Sequence, residues 1–398
     1  MNGRLLFVAR RPPWPLDNGG RIRSHRLVTG LAERFETVLL TMEHHGNGPD
    51  GGVDSSELQR VLPGLEVRTV PGFGPGKRAN QLRSVPGRRS WSFGRYATPA
   101  LRRALDDVIA ERQIDLVHFD DLGVAQLLPL DRTIAVYSSH NVENEIIRGD
   151  ARAAGGTARR KFAELELRKV EIEERRVWHA ADLTLAVSPY DAGLMRAGGA
   201  REVDLCPNGT DRVSTLQLHE RQAGEPLRMV FVGSGAFPPY ERGLAWFCQS
   251  VLPLLQDRIT ATLDVVGQPP RRPVAAPGVT YHGYVPDLQP WYAKADVVVV
   301  PVFEGSGTRL KLVEAAARGR PIVTTLLGAQ GLPLVPGVHY LAAEDVAGFV
   351  TALSRVAAGD EEVRSMVPAA RAAVEPLFWP NITEALSERY QRLIDVAP

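Results

Sequence analysis

Arg309, Lys311 and Glu314 carry the most informative chemistry of this chain, because they follow Gly305, Ser306, Gly307 and Thr308 where a buried apolar run gives way to a helical pattern. Small residues let backbone N–H groups come close to an anion, and the first turn of a helix supplies orphan N–H groups and the positive end of the helix dipole. Arg309 and Lys311 add full charges at the same spot. Glu314 lies further along the helix, where a carboxylate would repel a phosphate but can accept two hydrogen bonds from a sugar diol. The segment Pro301–Ala315 therefore reads as a seat for a phosphate with a sugar beside it.

Such a seat needs a rigid frame, and the pattern around it supplies one. Short apolar runs alternate with longer amphipathic segments, which predicts an α/β protein built on doubly wound parallel sheets covered by helices. Candidate strands in the first half are Arg4–Ala9, Thr37–Met42, Glu66–Val70, Leu116–Phe119, Ile134–Ser138, Leu183–Val187 and Val203–Cys206. In the second half they are Met229–Val232, Thr262–Val266, Val279–His282, Val297–Val300, Ile322–Thr325 and Tyr340–Ala342. The pattern breaks at Pro207-Asn208-Gly209 and the polar stretch Thr210–Glu225. A chain of 398 residues favours two domains, expected as residues 1–207 and 208–378, with 379–398 a closing helix that starts at an Asn381 N-cap and crosses back to the first domain. Each half opens with a strand leading to a glycine loop, Asn18-Gly19-Gly20 in one and Gly233-Ser234-Gly235 in the other. Two such sheets facing each other would put their strand ends around one cleft. The segment Ala158–Ala180 is predicted as a structural helix that gives Phe162, Leu165, Leu167, Val170, Ile172 and Val177 to the core.

Composition narrows the function classes. With 47 basic and 46 acidic residues the chain has no global attraction for nucleic acid, so any anion site is local. Cys206 and Cys248 fit neither a metal-ligand spacing nor a disulfide framework and are read as core residues. The N-terminal apolar run Leu5–Val8 meets Arg10-Arg11 too soon for a signal peptide, and no run reaches membrane-spanning length, so a cytoplasmic location is expected. Between residues 77 and 103, Lys77, Arg78, Arg83, Arg88, Arg89, Arg95, Arg102 and Arg103 interleave with Trp91, Phe93 and Tyr96 and no acidic residue. That combination would suit peripheral contact with an anionic membrane at its inner face, or with a lipid-diphosphate acceptor. Asp120-Asp121 is adjacent rather than spaced as a metal-binding Asp-x-Asp would be, and no carboxylate pair is set for glycoside hydrolysis.

Several landmarks occur in the order found in retaining nucleotide-sugar glycosyltransferases of the GT-B fold, and the chain resembles family 4 of that class over nearly its whole length. The matching pieces are Pro15–Gly20 with Asp17, Asn18, Gly19 and Gly20, the strand end Ser138–Glu143 with His140, Ala181–Ser188, Pro207–Asp211, Val266-Gly267, His282–Val285 and Gly305–Ala317. The resemblance implies a nucleoside diphosphate sugar as donor, a UDP-sugar before a GDP-sugar, with no cofactor and no metal. It implies that Glu314 holds the ribose, that Gly305, Ser306, Gly307 and Thr308 meet the diphosphate and the donor sugar, and that Arg309 and Lys311 neutralise the leaving diphosphate. The turn Gly283-Tyr284-Val285 resembles the segment whose backbone reads the base, with Val285 the expected contact. His140 would face the transferred sugar from the other wall. Asp17, Asn18, Gly19 and Gly20 would approach the diphosphate or the acceptor, and His118 and Asp120 end a strand on the same side.

The sequence departs from the family's common pattern twice. Glu304 and Glu314 stand further apart than the usual glutamate pair, so a donor contact for Glu304 is the looser expectation. The first loop of the second half reads Gly233–Tyr240 where the family usually carries an Arg and a Lys, and Arg309 and Lys311 are expected to take over that charge. The implied activity is transfer of a hexosyl unit to an alcohol acceptor, with retention and without a metal, in surface polysaccharide or lipid-linked assembly or on a natural product. The competing readings are a nucleotide-sugar 2-epimerase of related fold and a two-domain sugar-binding protein without catalysis.

Overall fold

The computed structural model describes residues 3–16, 18–43, 55–72, 86–153, 156–214, 222, 224–304 and 308–396. Strands β1 (Arg4–Ala9), β2 (Glu36–Met42), β3 (Glu66–Val70), β4 (Leu116–Phe119), β5 (Ile134–Ser138), β6 (Leu183–Ala186) and β7 (Val203–Leu205) form a seven-stranded sheet in the order β3-β2-β1-β4-β5-β6-β7. Strands β8 (Leu227–Val232), β9 (Ala261–Val266), β10 (Val279–Gly283), β11 (Val297–Val300), β12 (Ile322–Thr324) and β13 (Leu341–Ala342) form a six-stranded sheet in the order β10-β9-β8-β11-β12-β13. Every pairing is parallel. The reason is legible in β11, whose four valines are all buried: helices cover both faces, so the strand carries a continuous run of β-branched residues instead of alternating with polar ones.

The chain divides into two compact units, residues 1–207 with 382–398, and residues 208–381. In each sheet the strand order reverses between neighbours, β1 and β4 in one and β8 and β11 in the other. At such a reversal the flanking connections leave in opposite directions and open a crevice at the strand C-terminal ends. Both cysteines are buried in their units.

Three expectations are corrected. The helix Thr157–Ala180 does turn one stripe inward, but that stripe is Glu166, Lys169, Val170, Glu173, Glu174, Val177 and Trp178, whereas Ile172 is 67% exposed. The spacing is helical and the residues are largely charged, because the glutamates cap backbone N–H groups of neighbouring segments. Glu173 accepts from Ser90 N at 2.7 Å, Glu166 from Trp91 N at 2.9 Å, and Glu174 from Glu143 N at 2.7 Å and Asn144 N at 3.1 Å. Two of the three rings of the basic-aromatic segment are not presented: Phe93 and Tyr96 are buried core residues, and Arg95 stacks over Tyr96 and the half-buried Trp91. Of its cations, Lys77, Arg78 and Arg83 lie outside the described residues. Finally, the closing helix runs from Trp379 to Val396, so Asn381 sits in its first turn and donates to Glu375 O at 2.7 Å instead of capping it. Among the described residues no helix is long and apolar enough to cross a membrane.

Candidate functional site

In the second unit, the ends of β8, β9 and β10 are stitched together through glycines. Gly233 N donates to Val266 O and Gly267 N to Gly283 O. Gly267 has φ 118°, and a Cβ there would fall 2.2 Å from Gly233 O, so only glycine allows this approach. Ser234 Oγ donates to Gln268 Oε1 at 3.1 Å, which ties the β8 loop to the β9 loop. The helix Pro238–Trp246 then returns along the sheet so closely that a Cβ on Gly243 would meet Pro301 O at 1.7 Å. At the end of β10, Tyr284 is exposed while Val285 packs partly buried against the core.

Across the reversal, β11 leads through Pro301 to the helix Leu310–Ala317. Its buried face is Leu312, Val313, Ala315, Ala316 and Ala317. Arg309 occupies the N-cap position and is itself buried. Burial pulls its pKa down, and the nearby Tyr240 phenol works in the other direction. Lys311 Nζ pairs with Glu314 Oε1 at 2.9 Å, and Tyr292 OH donates to Glu314 Oε2 at 3.2 Å. Tyr292 is fully buried, with the Arg318 guanidinium 4.8 Å from its ring centroid. Thr308 Oγ1 accepts from Asn208 Nδ2 at 3.4 Å.

Glu304 takes a different partner, the guanidinium of Arg242. The two side chains border a groove of about 440 Å³ with Trp246, Phe303, Asp345 and Val346. Arg242 is not marked by the sequence, because it lies just beyond the loop Gly233–Tyr240, in the helix that follows. Tyr292 gave no local signal at all. Gly305, Ser306 and Gly307 lie outside the described residues, as does Asp17.

In the first unit, Asn18 is the N-cap of the helix Gly19–Ala32 and accepts from Arg21 N at 3.0 Å. Gly19 and Gly20 thus form a helical first turn rather than a loop, and a Cβ on Gly20 would lie 3.5 Å from His140 Nδ1. His140, just beyond β5, turns its Nε2 to Asp120 Oδ1 at 3.2 Å. Asp120, just beyond β4, is buried and also accepts from Ser24 Oγ. His118 is wholly buried on β4, stacked on Phe7 at 4.3 Å, with Nδ1 2.6 Å from Tyr390 OH and Nε2 3.6 Å from Asp120 Oδ1. His118 and Asp120, at the end of the same strand, are both buried there. Arg10, just beyond β1, pairs with Asp121 at 2.7 Å and lies over the Tyr96 ring.

The sequence was compared with protein families and with known proteins. The model described as Glycosyltransferase Family 4 matches residues 18–213, and that described as Glycosyl transferases group 1 matches residues 226–358. No curated protein sequence matches. Among solved structures, sucrose-phosphate synthase from Thermosynechococcus elongatus has a TM-score of 0.67 at 19% identity, covering 99% of each chain. HepE from Anabaena, solved in complex with UDP-glucose, has a TM-score of 0.64 at 15% identity, covering 98% of this chain and 99% of that one. The lipopolysaccharide outer core galactosyltransferase WaaB has a TM-score of 0.61 at 13% identity, covering 98% of this chain and 99% of its own. At these identities the structures speak for the fold, which is GT-B. The two family models take in most of the sequence in the same order as the two sheets, and the chain belongs to the group 1, family 4 glycosyltransferases.

Proposed function

We propose that this glycosyltransferase moves a hexosyl unit from a nucleoside diphosphate sugar, a UDP-sugar before a GDP-sugar, to an alcohol acceptor, with retention at the anomeric carbon and without a metal ion. The observation that carries the reading is the set at the start of the Leu310–Ala317 helix: a buried Arg309, a half-buried Lys311, and a Glu314 whose carboxylate is oriented by Lys311 and Tyr292. HepE, of the same fold, is known in complex with UDP-glucose and with UDP and glucose, which supports the choice of donor class.

The hard step is the loss of the bond between the anomeric carbon and the diphosphate oxygen, which leaves positive charge on the sugar and growing negative charge on the leaving group. Arg309 and Lys311 would meet that charge, helped by N–H groups at the helix opening and by the loop Gly305, Ser306, Gly307 and Thr308. Glu314 would accept from the ribose diol, Gly233 and Ser234 would border the diphosphate, and Gly283 with Val285 would meet the base. In the first unit, His140, Gly19 and Gly20 are assigned to the transferred sugar, with Asn18 holding their helix turn. The acceptor oxygen forms its bond to the anomeric carbon on the face the diphosphate leaves, and its proton passes to a phosphate oxygen of the leaving group.

The test uses purified protein with EDTA. UDP is expected to raise the unfolding temperature as native-state ligands do, and a UDP-hexose with a panel of alcohols is expected to give a glycoside of unchanged anomeric configuration by proton NMR. Stabilisation only with a divalent ion, or an inverted product, overturns the corresponding part of the proposal.

A further inference from the structure

The contacts of Asp120 leave it little room to be a ligand group. Its side chain is 4% exposed. One oxygen receives Ser24 Oγ, and the other faces His140 Nε2 at 3.2 Å and His118 Nε2 at 3.6 Å. A carboxylate is an acceptor with two oxygens, and both of these already have partners from the protein. We propose that Asp120 is a positioning residue: it holds the Nε2–H of His140 and so fixes that ring with Nδ1 turned to the first turn of the Gly19–Ala32 helix. The inference rests on the reading that His140 faces the transferred sugar, and it assigns the group that orients it.

The chain behind Asp120 makes the arrangement definite. Burial opposes ionisation of Asp120, but His140 and His118 outweigh it and hold its pKa well below the usual carboxylate range. Burial also lowers the pKa of His118, with Asp120 only partly offsetting it, so that ring is neutral. Tyr390 is buried and keeps its proton. A tyrosine O–H 2.6 Å from a neutral imidazole Nδ1 donates to it, which leaves the proton of His118 on Nε2, on the side of Asp120. The stack on Phe7, at 12° between planes, holds the His118 ring in that orientation, and Phe7 and His118 are register partners of β1 and β4. The carboxylate is thus held by the Gly19–Ala32 helix through Ser24, and the His118 ring, held by Phe7 and by Tyr390 of the closing helix, faces it at 3.6 Å.

A neutral imidazole has one donor and one acceptor, and its two tautomers exchange them. With Nε2–H bound to an anion, Nδ1 is the acceptor, and it lies beside Gly20, where an added Cβ would come into ordinary van der Waals contact with it at 3.5 Å. Asp120→Asn keeps the volume but can turn an N–H to Nε2, which reverses the ring. Long-range proton–nitrogen NMR on histidine-labelled protein, with the His140 signal assigned from His140→Gln, reads the tautomer directly. The expected result is an Nε2–H tautomer in the wild type and Nδ1–H in Asp120→Asn, with kcat lower by about tenfold to a hundredfold and donor KM within about threefold. Tyr390→Phe and Ser24→Ala, which leave the charge in place, should split or broaden the same signal and lower kcat by roughly twofold to fivefold. Gly20→Ala should leave the tautomer alone yet lower kcat by covering Nδ1.

An Nδ1–H tautomer in the wild type, or an unchanged tautomer in Asp120→Asn, overturns the inference. If Asp120→Asn does not fold, an unchanged signal in both Tyr390→Phe and Ser24→Ala overturns it equally. A switched tautomer with unchanged kcat upholds the positioning of the ring and sinks instead the reading that His140 serves the sugar.

Discussion

The charged groups at the strand ends of the two units are held in opposite ways. In the first unit, Asp120 and His118 have side-chain exposures of 4% and 0%, and each is bound by groups from distant elements. In the second, Lys311 and Glu314 are 29% and 18% exposed, Arg242 and Glu304 60% and 48%, and these side chains largely pair with one another. A buried charge must keep its partners, because breaking such a pair strands an ion out of water. An exposed pair contributes about 0–1 kcal/mol and exchanges partners readily. On the proposed reading, the first unit would present a pre-set ring, and the second would present cations able to leave a carboxylate for a pyrophosphate. Release of Lys311 would also free the Glu314 oxygen that a ribose diol needs.

The largest effect that can break this contrast is expected from Lys311→Ala. If Lys311 meets the leaving group, kcat falls by about 10²–10³-fold, as when one charge-stabilising donor is removed, and UDP no longer raises the unfolding temperature. Without ligand the same variant should lose no more than about 1 kcal/mol of stability, since its pair is partly exposed. A large loss of stability with UDP binding intact would make Lys311 a structural residue and erase the distinction between the units.

What the sequence disclosed follows the same line. The strands were legible because buried parallel strands are written as apolar runs such as Val297–Val300, and Arg309, Lys311 and Glu314 were legible because they share one helix opening. The network around His140 was legible only in part: His118 and Asp120 lie at the end of one strand, but Ser24 and Tyr390 come from separate elements and have no telling neighbour in the chain. The Thr157–Ala180 helix misled for another reason. Val170 and Val177 do reach the core as its pattern predicts, but the rest of the buried face is set largely by glutamates that cap distant N–H groups. Periodicity alone cannot say that a carboxylate is wanted inside; only the segments it caps can. In the basic-aromatic segment, likewise, Phe93 and Tyr96 serve the core.

A second measurement sharpens the first unit's side of the contrast. Burial pushes Glu174 up to about 7, against the hydrogen bonds it accepts from Glu143 and Asn144. In the unfolded chain a glutamate titrates near roughly 4.3. Between those values the folded state keeps a proton that the unfolded state has lost, so this group's contribution to stability falls as pH rises through the window and levels off above it. Glu174→Gln cannot ionise, and relative to the wild type it should gain about 1–3 kcal/mol on going from roughly pH 5 to pH 8 in urea unfolding. A difference that is flat with pH, or of opposite slope, would mean the carboxylate is not held under burial strain.

The smallest effect concerns a buried anchor of the second unit. Tyr292 is fully buried, and its hydroxyl donates to the Glu314 oxygen that Lys311 does not take. Tyr292→Phe keeps the ring under Arg318 and removes one hydrogen bond, worth about 0.5–1.5 kcal/mol. Glu314 would then be oriented by Lys311 alone, and it would lose that hold when the lysine turns to the diphosphate. Donor KM is therefore expected to rise by roughly twofold to tenfold with kcat nearly unchanged, since the ribose contact is the same in ground and transition states. An equal fall in kcat would instead place Glu314 at the reacting bond. No change in either constant would mean that this carboxylate needs no anchor, and that the second unit binds its donor entirely with side chains that move.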